Sequence, residues 1–329
     1  MPIGGMISNF PSGFSSGLLV RGMPLVQMQP GNVFWVNSSS VLNAQANAGS
    51  DGNRGTYLSP FATLQYALDR CTAGRGDVVF VGAGHTETIN TATALAFNKA
   101  GVAIIGLGTG NYRPTFTLAG ANTATIAVSA AGISVQNCVF IGNFLSIASC
   151  FTVGAAPDFS IDSCAFRDTS AILGFLSIVT TTVTVNADRL AYTNNSRISI
   201  ATTSPGPDMV VAGTMAGLRL TDNRSTHLVA SNNVAALLNH GALVMTDLQV
   251  YRNMVFSVNT DTATGALLVV TSAITGSGMI AHNRMRALDI AAAIVVTATA
   301  VQYGLFDNLY IGDGTYNSGF VLPAIGSDA

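Results

Sequence analysis

The sequence predicts an all-β fold: a right-handed, single-stranded parallel β-helix, or solenoid, with an N-terminal helical cap and an extended N-terminal arm. Three observations predict it. A short pattern recurs, the composition favours strands over helices, and charge is scarce. The pattern is an apolar residue, a second apolar residue two positions on, then Asn or Cys three further on. It occurs at Ile133/Val135/Cys138, Phe159/Ile161/Cys164, Leu190/Tyr192/Asn195, Leu218/Leu220/Asn223, Leu248/Val250/Asn253 and Tyr303/Leu305/Asn308, with a reduced copy at Ile280/Asn283. The steps between the Asn/Cys positions are 26, 31, 28, 30, 30 and 25 residues. Self-similarity at this period marks a solenoid whose repeats stack to bury a shared core.

The apolar pair has period two, so each copy is a strand with one face inside. Asn suits the bend after the strand, because its short amide tolerates left-handed dihedrals and bonds to nearby backbone. Stacked copies would then form an Asn ladder, each amide bonding to the next coil. A possible earlier copy, Val102/Ile104/Leu107, extends the series 31 residues upstream of Cys138. About eight coils are expected, roughly 40 Å long at the spacing of paired strands.

Composition bounds the function. Only 9% of the 329 residues are charged and the net charge is −2, against an average of about 25% charged. Lys99 is the sole lysine and Glu87 the sole glutamate. Depletion of both disfavours long surface helices. Nothing points to a nucleic-acid or membrane partner. So few charges imply a surface covered by other copies, as in a homotrimer or a larger assembly, or one solvated by Ser, Thr and Asn. Ala287 to Leu305 is apolar, but Asp289, several threonines and a repeat start make it a strand pair rather than a membrane helix. The first twenty residues carry no basic segment followed by an apolar core, so no signal peptide is read. Cys71, Cys138, Cys150 and Cys164 lack metal-ligand spacing. Cys138 and Cys164 should lie one coil apart, where a disulfide is conceivable; free thiols are expected.

In chain order, residues 1–31 form an arm. Its Met6, Phe10, Phe14, Leu18, Leu19 and Leu25 follow no period, and Pro2, Pro11, Pro24 and Pro30 oppose helix and central strand. Such an arm is expected to order against a partner. Residues 32–99 hold a first strand at Val33–Asn37, a polar loop, a capping helix and a first coil. The helix is expected to start at Ser59-Pro60, with Phe61, Leu64, Ala67 and Leu68 on one face, and to end near Cys71 to Gly74. Asp77–Val81 is a buried strand and Gly82–Glu87 a turn. Residues 100–329 are the coils, closed by the stretch from Ile311 onward.

Phe34–Asn37, the loop Gly49-Ser-Asp-Gly-Asn-Arg-Gly55, Ser59-Pro-Phe-Ala-Thr-Leu-Gln-Tyr-Ala-Leu68, Arg75-Gly-Asp-Val-Val-Phe-Val81 and Gly84-His-Thr-Glu-Thr-Ile89 together resemble the N-terminal part of pectate-lyase-like right-handed β-helix proteins. The likeness is greatest to virion structural proteins of tailed bacteriophages. It covers residues 33 to 310 in architecture and about 33 to 110 in specific motifs. The resemblance implies a structural virion protein assembled in the bacterial cytoplasm, most simply a homotrimeric head decoration or fibre on the capsid. Its partners would be its own copies and the major capsid protein, or other virion proteins reached through the arm. It also implies the alternatives of a tailspike that binds or depolymerises host surface polysaccharide and of a secreted lyase.

No catalytic, cofactor or metal residues are assigned. Arg75-Gly76-Asp77 precedes a buried strand and reads as a tight turn. Gly106-Leu-Gly108-Thr-Gly110 lacks the spacing and the following helix of a dinucleotide loop. His85 and Glu87 read as turn chemistry. Adjacent Asp-Asp, Asn-x-Asp with Gly-His-Gly, and Arg-x-Lys, the lyase and hydrolase signatures, are absent; Asn239-His240-Gly241 and Arg284-Met285-Arg286 do not match them. One column remains, the residue before each Asn/Cys: Asn137, Ser163, Asn194, Asp222, Arg252, His282 and Asp307. Asp222 and Asp307 would be three coils, about 14 Å, apart, beyond the roughly 5–9.5 Å of paired glycosidase carboxylates. The column is therefore read as compensating surface charge.

Overall fold

The computed structural model describes residues 19–20, 23–24, 31–38, 47–182, 186–200, 206–228, 236–241, 244–258, 267–271, 276–287, 294–297, 301–311 and 319–320. Three sheets run along the molecule, and consecutive coils pair in parallel. The first sheet runs from Val33–Val36 through Val78–Val81 and Ala103–Gly106 to Val301–Phe306. The second begins at Thr86–Ile89 and includes Ser196–Ser199, Arg224–His227, Met254–Ser257 and Arg284–Arg286. The third begins at Ala96–Phe97 and has eight strands, the last Ile294–Thr297. Eight strands in one column make seven full turns between first and last, close to the coil number expected. The apolar stretch after Ala287 does contain two strands, Ile294–Thr297 and Val301–Phe306, in different sheets.

Register along the sheets, shifted in the first sheet between Met245 and Leu248, turns the repeat into columns of like residues. Val135 pairs with Ile104 and Ile161, and Tyr192 with Ile161 and Leu220. These side chains are buried. Within the second sheet Phe116, Phe140 and Phe166 stack, with centroids 5.6 and 5.4 Å apart, and Tyr192 of the first sheet meets Phe166 across the core at 5.9 Å. Offset aromatic contacts of this kind add about 0.5–1.5 kcal/mol each beyond burial.

The ladder is present. The Asn195, Asn223, Asn253, Asn283 and Asn308 side chains are all buried. The backbone N–H of Asn195 donates to Asn223 Oδ1, that of Asn223 to Asn253 Oδ1, and that of Asn253 to Asn283 Oδ1, each at 3.0 Å. Each Nδ2 in turn donates to a carbonyl of the preceding coil, Asn253 to Leu220 and Asn283 to Val250. Cys164 closes the upstream end by donating its N–H to Asn195 Oδ1 at 2.8 Å. The left-handed dihedral falls elsewhere than expected. It belongs to the residue before each ladder position: Asn137, Ser163, Asn194, Asp222, Arg252, His282 and Asp307 have φ between 47° and 59°. A second left-handed column, Gly132, Asp158, Arg189, Gly217 and Asp247, lies five residues earlier in each coil. The two columns bracket the first-sheet strand, so the chain bends sharply at both ends. The ladder Asn then faces inward with its amide free for the neighbouring coil.

The four cysteines are buried free thiols. Burial pushes the Cys164 thiol up to about 12, which removes its nucleophilic thiolate.

The helix spans Leu64–Arg70, shorter than expected, with Thr63 rather than Ser59 as N-cap. Thr56 and Ser59 instead close a tight turn through reciprocal backbone bonds. The Asp51 carboxylate draws the N–H groups of Ala62 and Thr63 away from any helix. Leu64, Ala67 and Leu68 are buried in the core that also contains Val36, Val79 and Val81. Of the arm, Leu19–Val20 and Met23–Pro24 form a two-stranded antiparallel ribbon separate from the three sheets; apart from Gly31, the rest of the arm lies outside the described residues. At the far end Leu309–Ile311 pairs antiparallel with Gly319–Phe320, and the other residues expected to close the solenoid lie outside those described.

Candidate functional site

The turn between the first and second sheets places the charged column on the surface, one residue per coil. Its groups are paired. Arg252 grips Asp222 with two bonds, Nε to Oδ1 and Nη2 to Oδ2, both 2.7 Å. His282 Nδ1 meets Asp307 Oδ2 at 2.8 Å. The bonds to Arg252 hold the Asp222 carboxyl below its usual range. One column earlier, Arg189 makes the same fork to Asp158 at 2.6 and 2.7 Å. Asp158 and Asp222 are each gripped by an arginine one coil away that holds the carboxyl below its usual range, so neither is poised as a proton donor. The expectation of compensating charge fits this geometry.

The other candidates resolve into structural roles. Asp77 is fully buried. It accepts from the backbone N–H of Asn32 and Thr72 and from both arms of Arg75, so the Arg-Gly-Asp tripeptide is a locked turn. Glu87 Oε2 accepts the N–H of Leu64, the first helical residue, and meets His85 Nε2 at 3.2 Å. His85 Nδ1 lies 3.3 Å from Ser38 Oγ. The Glu87 carboxylate thus completes the helix N-terminus from a strand of the second sheet. In the glycine loop, Asn137 Nδ2 donates to the carbonyls of Gly106 and Gly108. A Cβ on Gly106 would stand 2.4 Å from the Asn137 carbonyl oxygen, so that glycine admits the next coil rather than a phosphate. Among the described residues no group of three or more His, Cys, Asp or Glu could hold a metal.

A polar cluster inside the solenoid is the feature the sequence reading missed. Past Phe166 the inward column of the second sheet changes character: Arg197 and Ser225 follow, and beside them Ser199, His227 and Ser257. Arg197 is fully buried. It donates to the carbonyls of Phe175 and Gly206 and to Asp208 Oδ1 at 3.1 Å. Ser225 Oγ donates to Asp208 Oδ1 at 2.9 Å and lies 2.9 Å from His227 Nε2. Asp208 Oδ2, Arg197 Nε and the Tyr192 hydroxyl have no hydrogen-bond partner among the described residues. Burial pushes the Asp208 carboxyl up more strongly than Arg197 pulls it down. Ser, His and Asp meet here, but the carboxylate faces Ser225 and the same imidazole nitrogen, His227 Nε2, at 3.8 Å. A relay needs the carboxylate on the opposite nitrogen, and the cluster is closed to substrate. A signal existed: positions two and four after each ladder residue point inward.

Burial, and then the Arg197 charge, holds the His227 imidazole well below its usual range. A depressed histidine pKa gives stability that is complete above the unfolded value of about 6.5 and is lost as pH falls through it. Between pH 7 and pH 5 the loss should reach about 2 kcal/mol. Denaturant unfolding at both pH values should show it, and His227→Gln should remove that part of the dependence. An unchanged pH slope in the variant would contradict the assignment.

No protein family and no curated protein matches the chain. One solved structure with a similar fold is a rhamnogalacturonan lyase, 13% identical, with a TM-score of 0.48, over 89% of this chain and 90% of that one.

Proposed function

We propose that the chain is a structural, non-enzymatic solenoid of a tailed-phage virion, a homotrimeric head decoration or fibre whose residues 1–31 attach it to the particle. The observation that supports the non-enzymatic part is the two-bond fork of Arg252 on Asp222, which occupies that carboxylate with a permanent cation, while Asp307 of the same column lies three coils from Asp222. The virion part rests on the resemblance of residues 33 to 110. In this reading the helix Leu64–Arg70 caps the right-handed solenoid, covering a core end that would otherwise be open. Deleting residues 2–28 tests the attachment. The truncated chain should still form trimers yet be absent from purified particles, measured by quantitative gel densitometry. Full occupancy on particles would remove the anchoring role from the arm.

A further inference from the structure

The outer face of the second sheet carries arginines with no carboxylate beside them. Register stacks its outward residues coil upon coil: Arg224, then Met254 and Phe256, then Arg284 and Arg286, then Ile311. Cationic rows therefore alternate with apolar ones, and upstream Ile198 and Arg167 continue the alternation. Arg224, Arg284 and Arg286 are exposed, as are Ile198, Met254 and Ile311. From Ser196 to Ile311 no strand of this sheet contains Asp or Glu. Among the described residues no ion pair engages Arg167, Arg224, Arg284 or Arg286. The turn edges differ, for there Arg189 and Arg252 each meet an aspartate one coil away. The Arg286 guanidinium lies over the Phe256 ring, 5.4 Å from its centroid, which holds that cation flat against the face.

From this pattern we infer that the second-sheet face docks an acidic, amphipathic α-helix of another protein, lying along the solenoid axis. Strands about 4.8 Å apart place arginine rows about 9.6 Å apart, with an apolar row midway. In a helix, residues i and i+7 are about 10.5 Å apart, and residues i+3 and i+4 lie about 4.5–6 Å along the axis. A carboxylate at every seventh position would meet each arginine row, where a guanidinium fork offers two parallel donors. The apolar residues between would pack on Met254, Phe256 and Ile311, as amphipathic helices do in their receptor grooves. The rows from Arg167 to Ile311 span about 24 Å, the length of a helix of about sixteen residues. Arginine, methionine and phenylalanine without acidic residues is also the composition of protein interface cores. An extended acidic strand fits less well, because its same-side residues repeat at about 6.8 Å. A second copy docking through this same face would set arginine against arginine. The surface Asp158 and Asp222 that another face could offer are already held by Arg189 and Arg252. The inference stands apart from the virion reading, since it concerns a face that reading does not use.

The test is binding of a synthetic helical peptide to the full chain by isothermal titration calorimetry. The peptide carries Glu at every seventh position and Leu three and four positions after each. Its comparison ligands are a peptide of the same composition in scrambled order and a polyuronate. The variants are Arg224→Gln/Arg284→Gln/Arg286→Gln and, separately, Met254→Gln; all four side chains are exposed, and circular dichroism verifies each fold. The expected result is peptide binding that weakens with salt. It should be about tenfold or more weaker in the arginine variant and about threefold or more weaker in Met254→Gln, and the scrambled peptide should bind about tenfold or more weakly. No binding by the wild type, or equal binding of the scrambled peptide, would overturn the proposal. Unchanged binding in the arginine variant would do the same, and unchanged binding in Met254→Gln would reduce the contact to charge attraction and overturn it too. Tighter binding of the polyuronate than of the peptide would assign the face to a glycan instead. None of these outcomes bears on the particle-attachment test of the arm.

Discussion

Asn253→Leu should destabilise the protein by about 1–3 kcal/mol, the cost of leaving the buried Asn223 N–H without its acceptor. Asn253 is buried in the middle of the ladder. Its Oδ1 accepts the Asn223 N–H, and its Nδ2 donates to the Leu220 carbonyl and to Asn283 Oδ1. Leucine has similar volume but no polar atoms. The Asn223 N–H would then be left unpaired in a buried site, and the Leu220 carbonyl, which stands in the parallel ladder opposite Val250, would lose its side-chain donor. Asn283 is hurt less, because its Nδ2 keeps bonds to Val250 and Asn308. Urea unfolding measures the loss. A change below about 0.5 kcal/mol, the range of ordinary surface substitutions, would mean the ladder does not carry the turn.

Arg197→Met should cost about 3–5 kcal/mol, because it strands the Asp208 carboxylate in the core. Arg197 supplies Asp208 with its guanidinium and also satisfies the Phe175 and Gly206 carbonyls. Adding Asp208→Leu should recover part of the loss. Removal of both charges from a buried pair is often neutral or better. The recovery here stops short of complete because the two carbonyls remain without a donor, and Ser225 loses an acceptor. Strict additivity of the two substitutions in a double-mutant cycle would show that the charges do not interact.

Much of this fold is legible in the sequence for a definite reason. In a solenoid each coil meets the next in register, so a constraint on one coil is repeated in all, and the repeat displays it. The spacing of Asn195, Asn223, Asn253 and Asn283 therefore gives the ladder directly. What is not repeated is hidden. The left-handed bend falls on Ser163, Asp222 or Arg252 as readily as on Asn, before Cys164 as well as before the ladder asparagines. Residue type at that position therefore says little about the bend. The interior change from phenylalanine to Arg197 occurs once, so periodicity does not flag it. The helix start depends on Asp51, eleven residues before Ala62, a contact that no local cap signal at Ser59 reveals. As for the site, the sequence shows which charges share a column, while the pairing that quiets them needs the coordinates.

The claim that this solenoid works as a trimeric structural component is tested most directly by native mass spectrometry of the intact 329-residue chain. The proposal predicts a species at three times 33.8 kDa, about 101 kDa, which persists on dilution. A single species at 33.8 kDa at every concentration would contradict it.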